Sequence, residues 1–205
     1  MNKTICLLLP LGLIFGGCAT GVRDTSRTFH TVVIDAGHGG RDSGTTSRRG
    51  GMEKTDTLDV AQRLEPKLRA AGFRTVMTRT DDHFVELNQR AAISNAQRNA
   101  IFLSIHFNDS PRRRIRGIET YYNAQAAVPL AQRIEQSLAT LSPGRGVMHE
   151  NFRVLRLNHY PAVLVECGFL SNPREASRCS SPAYHEELAT RLAQAIVAQR
   201  FGGTQ

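Results

Sequence analysis

The sequence predicts a single α/β layered domain around a largely buried sheet, and three observations carry that expectation. Segments of strand type and helix type alternate from about residue 31 to residue 201. Three of the strands, ending in "VVIDAGH", "IFLSIH" and "AVLVE", are runs of the continuous apolar kind that belong inside a layered fold. There is no internal repeat and no second apolar core, so one domain suffices for 205 residues.

Each element follows from its local pattern. "TVVIDA" is the first strand. A helix from about Lys54 to Ala71 spaces Leu58, Ala61, Leu64 and Leu68 along one face; Pro66 is expected to kink or shorten it, and Gly72 to stop it. "FRTVMTR" is the next strand, and Glu86 to Arg98 the next helix, with Leu87, Arg90, Ala91 and Asn95 on a mixed face. "AIFLSIHF" and "GIETYY" are strands, and "VPLAQRIEQSLATL" is a helix opened by proline in its first turn. "FRVL" reads as a short strand and "PAVLVECGF" as a long buried one. A last helix from Ala183 to Phe201 repeats Leu188, Leu192 and Ile196 at helical spacing.

The N-terminus has the layout of a secretory signal over residues 1–17: an early lysine, an apolar run from Ile5 to Phe15, then small residues. That run is too short to span a bilayer, which takes about 20 apolar residues. Phe15-Gly16-Gly17-Cys18 resembles a bacterial lipobox, with phenylalanine where leucine is usual, so Cys18 is the expected lipidation site. Ala19 resembles an outer-membrane sorting signal, which places the chain in the periplasm or cell envelope, anchored to the outer membrane. Residues 18–30 lack apolar periodicity and read as a tether, whose thirteen residues reach about 40 Å at ~3.3 Å each. Of the later cysteines, Cys167 and Cys179 are open to two readings, a disulfide in an oxidising compartment or two packed thiols.

A formal net charge of +8 points to an anionic partner, whether nucleic acid, membrane surface or acidic polymer, without choosing among them. "PRRRIRG", with Arg112, Arg113, Arg114 and Arg116, suits phosphate or another anion as well as it suits a solvated loop. It has no interleaved aromatics to stack bases, which argues against nucleic acid.

The chemistry gathers at strand ends. The three apolar strands lead to His38, His106 and Glu166, and ligands in open α/β sheets collect beyond the carboxyl ends of strands. Two imidazoles and a carboxylate suit a catalytic metal with a position left for water. Glu166 and Glu53, in "GGMEKT", compete for the carboxylate, and a hydrolytic site has a second task for a glutamate, that of base. Asp35, inside the first strand, is placed to orient a ligand. His30, His83, His149, His159 and His185 stand in polar contexts and read as surface residues.

The ordered blocks "VVIDAGHGGRDSG", "GGMEKTDTLDVAQRL", "VMTRTDDHFVELNQRAAISNA", "IFLSIHFND", "GIETYY", "NFRVLR" and "PAVLVECGFLSNPREA", with the final helix, resemble the zinc-dependent N-acetylmuramoyl-L-alanine amidases of bacterial cell walls. The likeness implies a three-layer α/β/α sandwich around a mostly parallel mixed sheet, with the catalytic domain over residues 31–202. It implies one zinc ion on His38, Glu53 and His106, with Glu166 as the catalytic glutamate, and hydrolysis of the amide joining N-acetylmuramic acid to L-alanine in peptidoglycan. The alternatives are a non-catalytic peptidoglycan-binding lipoprotein and a zinc peptidase cutting within the stem peptide. Ala36 stands where relatives often carry proline. Only "NAQAA" follows the "GIETYY" strand, where some relatives insert an autoinhibitory helix, so no such plug is expected; any protein activator is left open.

Overall fold

Runs of Val, Ile, Leu and Phe without polar alternation form a sheet covered on both faces. The computed structural model describes residues 21–47 and 51–202; the signal segment, Cys18 and the first residues of the tether lie outside them. Six strands, β1 (Thr31–Ala36), β2 (Arg74–Met77), β3 (Ala100–Asn108), β4 (Ile118–Tyr122), β5 (Gly144–His149) and β6 (Ala162–Phe169), lie in the order β2-β1-β3-β6-β4-β5. β2, β1, β3 and β6 are mutually parallel; β4 runs antiparallel to β6, and β5 runs parallel to β4. The three apolar strands are therefore neighbours, and their carboxyl ends meet on one side.

Two sets of helices cover this sheet, giving the three layers. Val32, Ile34, Ile101 and Val163 pack in a core with Leu64 and Leu68 of α1 (Glu53–Ala70), Ile134 of α3 (Val128–Leu138), and Leu188, Leu192 and Ile196 of α6 (Pro182–Phe201). On the other face Val33, Phe102 and Leu164 pack with Ile93 of α2 (Leu87–Asn95) and with Val154 and Leu155 of α4 (Arg153–Arg156). A short α5 (Ala176–Cys179) leads into α6, whose first turn is held by Ser181 Oγ accepting from Tyr184 N at 3.3 Å. Beyond Phe201, Gly202 takes a left-handed φ of 72° and closes α6.

Several local expectations are corrected. "FRVL" is not a strand: Arg153–Arg156 is the single turn α4, because Val154 and Leu155 both point into the core, which adjacent strand residues cannot do. α1 runs through Pro66 to Ala70 and is not shortened. α2 ends at Asn95, three residues before the expected Arg98. The half-exposed, glycine-bearing β5 had no apolar signal to announce it. His185 is not a surface residue; it is buried in α6, with Nδ1 2.6 Å from Asp59 and Nε2 2.6 Å from the Cys179 carbonyl. Cys167 and Cys179 are both buried free thiols, and burial raises the pKa of each above the ordinary thiol range.

Candidate functional site

His38 follows β1 in the turn Gly37-His38-Gly39, His106 lies near the end of β3, and Glu166 is its register partner on β6. Glu53 reaches the same place as the first residue of α1. It is fixed there by a reciprocal pair of backbone contacts with Thr45, Glu53 N donating to Thr45 O at 2.9 Å and Thr45 N to Glu53 Oε2 at 2.8 Å. Phe107 N adds a 3.1 Å bond to Oε1.

His38 Nε2 and His106 Nδ1 lie 3.0 and 2.9 Å from the same oxygen, Glu53 Oε1. One atom from each of the three residues falls within 4.8 Å of the others, a spacing that fits a single metal ion. Burial pushes the Glu53 carboxyl up, but hydrogen bonds from His106 and His38 overcome this and hold it well below the usual carboxylate range. Burial alone would lower the His38 pKa; the bond to Glu53 outweighs it, joined by one to Asp42, and raises it. The donor set is thus two imidazoles and a firmly ionised carboxylate, the set that zinc-type ions take.

The packing around the ligands is too close for ordinary side chains. A Cβ on Gly37 would lie 2.6 Å from His106 Nε2, and one on Gly44, where φ is +61°, would lie 2.5 Å from Glu53 Oε2. His38 itself has φ 60°, a left-handed conformation uncommon for a residue that carries a Cβ.

Two buried arginines brace this turn. Arg79 donates to the carbonyls of Ala36 (3.0 Å) and Gly37 (2.8 Å), while Arg90 donates to those of Ala36 and His38, both at 2.6 Å. Asp35 does not touch a ligand. Its carboxylate accepts from Thr78 Oγ1, Ser104 Oγ and Arg90 Nη1 at 2.6, 2.7 and 2.8 Å, so it acts on His38 only by holding Arg90. The carboxylate that orients His38 directly is Asp42, whose Oδ2 is 2.9 Å from Nδ1. Sequence reasoning missed Asp42 and both arginines. The available signals were an acid four residues after the histidine and single arginines inside otherwise apolar or small-residue segments.

Glu166 lies across from this group in a cleft of about 590 Å³ whose walls include Phe84, Leu87, Phe152 and Val154. Its Oε2 is sealed from solvent and has no hydrogen-bond partner among the described residues. Burial first, then the charges of Glu53 and Glu119, holds its carboxyl well above the ordinary range. Glu119, its cross-strand partner, is by contrast satisfied by Asn108 Nδ2 and Tyr121 Oη, both at 2.7 Å, and by Arg145 Nε at 2.6 Å. A buried carboxylate oxygen without a partner, on a residue lining the same cleft as the His-Glu-His group, is a group whose hydrogen-bonding capacity is left for something else to satisfy.

Fold and cleft together define an α/β/α enzyme domain with a His-Glu-His group able to hold a metal ion at the carboxyl ends of its strands. The family model described as N-acetylmuramoyl-L-alanine amidase matches residues 32–198, and the chain belongs to that family of bacterial cell-wall hydrolases. It is 36% identical over 168 residues to the N-acetylmuramoyl-L-alanine amidase LytC of Bacillus subtilis (strain 168), covering 79% of this chain and 34% of LytC. It is also 36% identical over 195 residues to the uncharacterized protein YqiI of the same organism, covering 92% of this chain and 93% of YqiI. The catalytic domain of CwlV, the amidase of Bacillus (Paenibacillus) polymyxa var. colistinus, superposes with a TM-score of 0.79 at 37% identity, over 82% of this chain and 96% of that one.

Arg90→Met would leave the Asp35 carboxylate buried without its charge partner and free the His38 carbonyl. The expected cost is about 3–5 kcal/mol, read as a fall in the urea midpoint at unchanged slope. An unaltered midpoint would refute the clamp.

Proposed function

We propose that this chain is a zinc-dependent amidase that cleaves the bond between the lactyl carbonyl of N-acetylmuramic acid and the L-alanine nitrogen of the stem peptide. The observation that carries the reading is the approach of His38, Glu53 and His106 within 4.8 Å of one another, in a cleft that Glu166 also lines.

Zinc held by those three residues would supply a Lewis acid for the carbonyl and for water. The remaining work falls to the chain. Asp42 keeps the His38 ring oriented through Nδ1, and the arginine clamp keeps its backbone in place. Glu166 accepts a proton from the attacking water, and a raised pKa makes its carboxylate a stronger base than an exposed one. As the carbon–nitrogen bond breaks, Glu166 returns that proton to the departing amine, leaving a carboxylate on the glycan and a free amino terminus on the peptide. The apolar walls at Phe84, Phe152 and Val154 restrict water around the reacting bond.

The reading extends to location: lipidated Cys18 would hold the domain at the outer membrane, facing the periplasm. Replacing Cys18 with Ser should move the protein from the membrane fraction to the soluble one; unchanged membrane association would exclude this anchor.

Glu166→Ala should lower hydrolysis by roughly 10²- to 10⁴-fold while bound zinc, measured by elemental analysis, stays stoichiometric. His38→Ala should lose both zinc and activity, and chelation followed by added zinc should silence and then restore the unmodified protein. Near-normal turnover by Glu166→Ala would remove it from this role.

Mass spectrometry of digested sacculi decides the bond. Intact stem peptides beginning at L-alanine are expected; cuts inside the peptide would make the protein a peptidase, and no release a binding protein.

A further inference from the structure

The basic segment noted in the sequence takes no part in the metal site, yet it is placed beside it. Arg112, Arg113, Arg114 and Arg116, with Arg145 opposite, line an open groove of about 950 Å³. An adjoining hollow of about 550 Å³ adds Asn172 and Arg174. Arg145 is engaged with Glu119, but the guanidinium groups of the other five have no hydrogen-bond or ion-pair partner among the described residues. The loop itself is braced. Ile115 O accepts from Asn172 Nδ2 at 2.9 Å, and Gly117 N donates to Glu175 Oε2 at 3.0 Å. A Cβ on Gly117, whose φ is +110°, would collide with the Pro143 carbonyl.

Topology puts this groove at the active-site end of the sheet. β4 is antiparallel to β6 with Glu119 opposite Glu166, so Ile118, and the arginine loop before it, lie at the carboxyl end of β6. β5 is parallel to β4, which brings Pro143 and Arg145 to the same end. At about 4.8 Å per strand, β4 and β5 lie roughly 5–10 Å to the side of Glu166. The connection is direct in the chain as well, because Asn108 and Asp109 line the catalytic cleft and Pro111 and Arg112 line the groove.

We propose that the groove binds carboxylates of stem peptides neighbouring the one being cut, so that the polymer is held across the active-site end by several arginines at once. This rests on the peptidoglycan reading above. A guanidinium matches a carboxylate with two parallel hydrogen bonds, and unpaired arginines side by side convert individually weak exposed contacts into avidity. Anionic lipid headgroups are the less favoured ligand, because the N-terminal segment enters at the opposite end of the sheet, where Arg23 N bonds His159 O and Thr25 Oγ1 bonds Ala100 O.

The test is cosedimentation of the metal-loaded protein with purified sacculi on ice at low salt, with released peptides measured in the same supernatants. R113Q/R114Q/R116Q should bind native sacculi about tenfold more weakly, and the unmodified protein should lose the same factor on sacculi whose carboxylates have been amidated. The proposal is overturned if binding ignores both changes, or if the triple variant loses only its affinity for phosphatidylglycerol vesicles. Release of peptides reports the amidase reading separately. Binding that depends on the arginines without release would sink that reading and leave the groove standing, and release without arginine dependence would do the reverse.

Discussion

The site depends on how the chain leaves β1. Strand carbonyls normally accept from a neighbouring strand, but the turn at Gly37-His38 carries its carbonyls away from the sheet into a place closed to water. Leaving a buried carbonyl unbonded costs about 1–3 kcal/mol, so losing the donors to two of them would take a sizeable part of the 5–15 kcal/mol that typically separates folded from unfolded protein. The guanidiniums of Arg79 and Arg90 remove that penalty at Ala36 and His38, and Arg79 shares the Gly37 carbonyl with Thr57 Oγ1, which donates to it at 2.9 Å. Arg79 also bonds the Lys54 carbonyl at 2.7 Å, so the turn bearing one histidine and the helix bearing Glu53 share a single support. The left-handed His38 sits within this frame.

Two carboxylates in one cleft are driven in opposite directions by their neighbours. Glu53 receives hydrogen bonds from two imidazoles and two backbone amides and is held ionised despite its burial. Glu166 has no such donors at Oε2, and burial first, then the charges of Glu53 and Glu119, holds its proton more tightly. Such divergence is what the proposed roles call for, an ionised metal ligand beside a group able to exchange a proton. Two residues of one type are thus set apart by burial and by the donors each one meets.

What could be read in advance was set by local pattern. Continuous apolar runs mark β1, β3 and β6 as buried strands ending near His38, His106 and Glu166, whereas their parallel adjacency is set by the tertiary fold. Spacing alone did not choose between Glu53 and Glu166 as the candidate metal ligand; the likeness to a family favours Glu53, whose Oε1 lies beside both imidazoles. Asp42, Arg79 and Arg90 were not legible because their partners are backbone or ring atoms brought near by tertiary folding. His185 was misread for the same reason, since Asp59 is remote in sequence and makes a buried imidazole acceptable.

The N-terminal segment joins the domain at the amino ends of β3 and β6, whereas the His-Glu-His cluster and the arginine groove lie at their carboxyl ends. The nine residues of β3 set that separation at about 30 Å. Any attachment made through the residues before Gly21 would therefore grip the molecule by its back, with its working face turned outward to whatever lies beyond the attachment.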